Sequence, residues 1–167
     1  AFLGIDSSKI HYYYHILYIS LGYGSLSGTE YAYYGQQIPV TVTPDAGYNI
    51  DSVFVNDGMA PVDLYPNASG TYSFTMPDGF VEVYATFYPD LTIKSQPVNF
   101  TGAEGNTATF TVVAEGKDLS YQWQVYKNGD WKNTTLGGNK TATLSVGIME
   151  ARDGMTFRCI ITDSLIS

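Results

Sequence analysis

From Thr107 to Ile161 apolar side chains recur at every second position, and that spacing limits the possible folds more than any other feature. Ala108, Phe110 and Val112 alternate with Thr107, Thr109 and Thr111. Leu119, Tyr121, Trp123 and Val125 alternate with Ser120, Gln122 and Gln124. Ala142, Leu144 and Val146 follow, and then Met155, Phe157, Cys159 and Ile161. Successive strand residues point to opposite faces, so the spacing predicts four half-buried strands with polar outer faces, the pattern of an antiparallel sandwich. Asn128-Gly129 marks a two-residue hairpin, because both residues tolerate positive φ. No helix longer than about two turns is expected, and Ile148–Asp153 is the place for a short one.

The first half repeats the period with different turns. Ile38, Val40 and Val42 alternate with polar residues up to a turn at Pro44-Asp45-Ala46-Gly47. Val53 and Val55 lead into Asn56-Asp57-Gly58. Tyr72, Phe74 and Met76 precede Pro77-Asp78-Gly79, after which Val81, Val83, Ala85 and Phe87 alternate again. The stretch HYYYHILYISLGYG is apolar on both faces, which fits a central strand or a junction sequence. Residues 1–11 carry no assignable pattern.

Composition divides the chain near Tyr88-Pro89-Asp90. Residues 1–89 hold one Lys against eight Asp and Glu, and residues 90–167 hold seven Lys and Arg against eight. Thirteen of the fifteen tyrosines precede residue 90, while both tryptophans follow it. The expected organisation is an unassigned segment 1–11, a β module over 12–89 and a second over 90–167. A linker as short as Tyr88-Pro89-Asp90 restricts rotation between them. The net charge of −8 repels phosphate backbones, so nucleic acid is excluded as a partner class. No apolar run approaches the roughly 20 residues of a membrane span, so no membrane insertion is expected of this fragment. The chain begins with Ala and shows no charged region leading into an apolar stretch, so it reads as a fragment or processed product.

Two resemblances follow from these motifs. VTVTPDAGYNIDSVFVN and GTYSFTMPDGFVEVYATF, within residues 14–88, closely resemble the divergent internalin-B-type repeat of secreted Gram-positive bacterial proteins. Over residues 91–163, YQW at 121–123 and DGMTFRC at 153–159 resemble the strand C tryptophan and strand F signature of immunoglobulin-like domains. LTIKSQP and GNTATFTV look like the bacterial immunoglobulin-like modules of large surface proteins. The second resemblance implies that Val112 stands where a partner cysteine would be. Cys159, the only cysteine, then packs as a free thiol against Val112 and Trp123, nearly fully buried. Phe157 replaces a corner tyrosine. The chain stops at Ser167, where the last strand of such a sandwich would begin, so either the native protein continues or strand F around Thr156–Thr162 ends on an open edge.

Candidate chemistry is sparse. His11 and His15 on one strand would lie about 13 Å apart, too far to share a metal. Gly22-Tyr23-Gly24 lacks the third glycine of a phosphate loop and reads as a hairpin turn. Cys159 has no neighbouring base to activate it. Asp45, Asp51, Asp57, Asp63 and Asp78 lie in or beside turns, where Asp bonds its own backbone. The Asn-x-Ser/Thr sequons at Asn67, Asn99, Asn133 and Asn139 reflect Thr- and Asn-rich strand ends. Exposed aromatics remain: Tyr126 and Trp131 flank the Asn128-Gly129 turn, and Phe54, Tyr84 and Tyr88 fall on the polar phase of their strands.

The expectation is therefore an all-β chain of two small antiparallel modules in tandem, the second an immunoglobulin-like sandwich without its last strand. It is not an enzyme and uses no metal or cofactor. The family resemblance implies an extracellular stalk or spacer on a cell-surface or secreted bacterial protein, with neighbouring modules of the same polypeptide as partners. The rival reading is a carbohydrate-binding or adhesive module in which Tyr126, Trp131, Phe54 and Tyr84 contact a host or cell-wall glycan or protein.

Overall fold

The computed structural model describes residues 11–163, which divide into two compact units between Tyr88 and Pro89. Among the described residues both are all-β, with one helical turn, a 3₁₀ turn at Glu150–Arg152.

The first unit contains β1 (Tyr13–Ser20), β2 (Gly24–Ser27), β3 (Tyr31–Tyr33), β4 (Gln37–Pro44), β5 (Tyr48–Asn56), β6 (Val62–Asp63), β7 (Tyr72–Thr75) and β8 (Val81–Pro89). A five-stranded sheet, β3-β1-β8-β5-β6, and a three-stranded sheet, β2-β4-β7, share one core. The first sheet supplies Ile16, Val53, Val55, Val81, Val83 and Ala85 to it, and the second supplies Ile38, Val40, Phe74 and Met76. The predicted alternation places each of these inward except Ile16, whose face the doubly apolar stretch left unassigned.

The doubly apolar stretch near the start is an interior strand. β1 lies between β3 and β8, and its pairing with β8 is parallel, running from Ile16↔Val81 to Ser20↔Ala85. Tyr14, Ile16 and Tyr18 face the core, which leaves Tyr13, His15, Leu17 and Ile19 on the other face. The Gly22-Tyr23-Gly24 turn corrects an expectation. It joins β1 and β2, which belong to different sheets, so the chain crosses between layers there and makes no hairpin. Gly22 at φ 95° and Tyr23 at φ 40° give the backbone that change of direction.

The second unit contains β9 (Thr92–Ser95), β10 (Thr107–Thr111), β11 (Val113–Glu115), β12 (Ser120–Lys127), β13 (Asp130–Asn133), β14 (Thr143–Gly147) and β15 (Phe157–Thr162). They form antiparallel sheets β10-β14, β11-β9 and β13-β12-β15. Ala108, Val112, Trp123, Leu144 and Val146 are buried in one core, with Phe110, Tyr121, Phe157, Cys159 and Ile161 packed against it. The rings of Phe110 and Phe157 meet at 5.8 Å.

Two inward assignments on the last strand need correction. Met155 is 40% exposed and precedes β15, because the turn after the 3₁₀ segment carries it outside the ladder. Cys159 faces Trp123 across β12 and β15 but is only half-buried, since β15 is the last strand of its sheet among the described residues and its flank is open. Residues 164–167, where a further strand would begin, lie outside the described residues.

The hairpin between β12 and β13 forms at the predicted pair, with Asn128 at φ 56° and Gly129 at φ 83°. Two positive φ values make a type I′ turn, whose twist matches that of the strands. A Cβ on Gly129 would meet no atom within 4 Å, so Gly129→Ala carries backbone strain alone. Its expected cost is about 1–2 kcal/mol, measurable as a lower urea midpoint with an unchanged slope.

Candidate functional site

The four aromatics singled out from the sequence form two separate pairs. Tyr126 and Trp131 are cross-strand partners on β12 and β13, with ring centroids 5.2 Å apart. The Arg158 guanidinium lies 4.4 Å from the Trp131 ring centroid, a cation–π contact that the sequence pattern does not disclose. Arg158 is held there by the hydrogen bond its Nε donates to Gln124 Oε1 at 2.9 Å, and Gln124 in turn donates to Asn133 Oδ1 at 2.8 Å. Beside them Asp130 and Lys132 form an ion pair at 3.0 Å. The Lys132 ammonium and the Trp131 backbone N–H hold the Asp130 carboxyl below its ordinary range.

Phe54 and Tyr84 form the other pair, in the first unit. Their rings stack at 4.9 Å with planes 13° apart, and the Tyr84 hydroxyl donates to Glu82 Oε2 at 2.7 Å. That bond to a carboxylate, followed by partial burial, raises the Tyr84 pKa. The pair belongs to a larger array on the outer face of the five-stranded sheet. Register aligns Ile19 with Tyr84 and Phe54 with Asp63, giving one lateral row of Ile19, Tyr84, Phe54 and Asp63. Leu17 pairs with Glu82 in the next row. Tyr31, His15 and Phe80 make a third, with His15 at 5.1 Å from Tyr31 and 5.9 Å from Phe80. Tyr13 and Tyr33 make a fourth, and His11 lies 4.8 Å from Tyr33. Periodicity identified Phe54 and Tyr84 as outward, and the register sets them in rows with residues whose faces the sequence pattern left unassigned.

Several of the remaining candidates have partners within the fold. The two histidines pack on different tyrosines. Asp57 Oδ1 accepts from the Met59 backbone N–H at 3.0 Å, and Asp78 accepts the Tyr14 hydroxyl. Among the described residues no three His, Cys, Asp or Glu side chains gather to hold a metal. Three sequon asparagines bond within the fold: Asn67 Oδ1 accepts from Ser69 and Thr71, Asn133 accepts from Gln124, and Asn139 donates to the Thr134 carbonyl at 2.7 Å. A groove of about 680 Å³ in the second unit has Phe100, Phe110, Ile148 and Phe157 in its lining, with Glu104 and Glu150 beside them.

Partial burial raises the pKa of the Cys159 thiol. A smaller thiolate fraction reacts more slowly. Cys159 in the folded protein is expected to react with a thiol-specific disulfide reagent several-fold more slowly at neutral pH than in the urea-unfolded chain, and faster as pH rises. Equal rates in the two states would contradict this placement. Cys159→Ala is expected to cost only about 1 kcal/mol, because a small, half-buried side chain is lost and no bond is broken.

With the strands and outer face in view, the comparison with known families is direct. Residues 14–91 match the family model of the divergent InlB B-repeat domain. No curated protein and no solved structure matches the chain. The InlB-type match covers nearly all of the first unit, from within β1 through the end of β8, and points to a repeat module of a surface protein. No helix among the described residues is long and apolar enough to cross a membrane.

Proposed function

We propose that the chain is a pair of non-catalytic spacer modules from a larger secreted or cell-surface bacterial protein, working outside the cell. The observation that carries this is the InlB-type repeat match over residues 14–91. In this reading the second unit is an immunoglobulin-like sandwich in tandem with the repeat, supported by YQW on β12, DGMTFRC leading into β15, and a core centred on Trp123. The partners are neighbouring modules of the same polypeptide. Its acidic surface disfavours nucleic acid. The absence of a catalytic role is supported by what the reactive groups are doing: the histidines pack on tyrosines, turn aspartates bond nearby groups, and burial raises the Cys159 pKa.

One observation favours an adhesive role in addition: the rows of rings on the outer face of the five-stranded sheet, with Tyr84 and Phe54 among them. A glycan array probed with the wild-type chain, Trp131→Ala and Tyr84→Ala separates the two. The spacer reading predicts no glycan signal above background for any of the three. A signal present in wild type and lost in either variant would favour adhesion to sugars.

A further inference from the structure

We propose that the outer face of the five-stranded sheet docks an extended peptide segment bearing Lys or Arg at alternate positions. This rests on the adhesive reading and gives it a partner. The face is a contiguous patch, with Tyr13, Tyr31 and Phe80 exposed by 63%, 56% and 48%. Single exposed apolar residues are ordinary, but rows of them mark interaction surfaces.

Charge selects the occupant. Between Lys9 and Lys94 the chain contains no Lys or Arg, yet this face carries Glu82 beside Tyr84 and Asp63 beside Phe54. The second unit shows how the same molecule completes such a site: its aromatic pair, close to Asp130, is capped by Arg158 at 4.4 Å from Trp131. The Phe54–Tyr84 pair has rings and carboxylates but no cation in its own stretch of sequence. Rings next to carboxylates attract an ammonium or guanidinium by quadrupole and charge together.

Geometry selects an extended peptide over a sugar. The Phe54–Tyr84 separation of 4.9 Å equals the spacing of neighbouring strands, so the two rings stand upright side by side. Upright rings offer no flat platform on which a sugar ring could stack. The rows defined by Tyr13, His15, Leu17 and Ile19 follow one another every second residue of β1, or about 6.7 Å. That is the spacing of same-side residues in an extended peptide, whose basic side chains can lie along the rows.

The test is fluorescence anisotropy of a labelled ten-residue Arg-Ser alternating peptide with the whole chain, at low salt and at about 0.5 M salt. An Asp-Ser peptide and a panel of neutral oligosaccharides serve as comparisons. The expected result is binding of the basic peptide that weakens with salt. Tyr31→Ser with Tyr84→Ser, which leaves the charge unchanged, should weaken it about tenfold. Tyr84→Phe keeps the ring and should retain most of the binding. Salt-sensitive binding indifferent to ring removal would reduce the effect to net charge and overturn the proposal. Salt-insensitive oligosaccharide binding lost with the rings would overturn it while leaving adhesion intact. Binding of neither probe would end both.

Discussion

Trp123→Ala is expected to destabilise the second unit by about 3–5 kcal/mol. Trp123 is 1% exposed at the centre of its core, so truncation leaves a cavity flanked by Leu144, Val146 and Val112. The loss extends beyond packing. The indole Nε1 donates to the Thr141 carbonyl at 2.9 Å, and that bond goes with the ring; the bonds of the Trp123 backbone, N–H to the Asn139 carbonyl at 2.8 Å and carbonyl from the Thr134 N–H at 3.1 Å, remain available to Ala. Residues 134–141 thus strap the chain over this one side chain. Gly138 permits the strap to lie close, because a Cβ there would fall 2.0 Å from the Thr143 carbonyl oxygen. A small domain holds about 5–15 kcal/mol in total, so the variant should lose more than about 12 °C of melting temperature in this unit. Thermal unfolding followed by calorimetry measures this.

Ile16→Ala is expected to destabilise the first unit by about 2–5 kcal/mol. Ile16 is 1% exposed on β1, beside Val81 of β8 in the parallel pair, and its backbone N–H donates to Glu30 at 2.8 Å. It is therefore packed in the core where β1 lies between β3 and β8, and its truncation leaves a cavity there. Its effect should appear in the transition of the first unit, with the transition that Trp123→Ala lowers left in place. A single transition shifted by both variants would mean that the two cores unfold together.

Much of this architecture was legible in the sequence because burial alternates with period two in a strand. Ile38, Val40, Phe74, Met76, Ala108, Leu144 and Val146 all sit on the predicted face. The Asn128-Gly129 turn and the short helical turn near Glu150 were legible for equally local reasons. What escaped depends on partners far along the chain. The parallel pairing of β1 with β8 joins residues about 65 positions apart, and no local pattern encodes its direction. Arg158 sits over Trp131 because β13, β12 and β15 are neighbours in one sheet, which spacing alone does not state. The half-exposure of Cys159 likewise follows from the position of β15 at the end of its sheet, not from its own alternation.

If the two β modules form the tandem spacer proposed above, each should resist extension by itself, and stretching single molecules held at the two chain ends measures that resistance. Two separate unfolding events at resolvable force are expected, each lengthening the chain by roughly 25 nm, as for about 75 residues passing from folded to extended. Trp123→Ala should weaken one event and spare the other. A single event of twice that length, or extension without any resolvable resistance, would contradict the spacer reading.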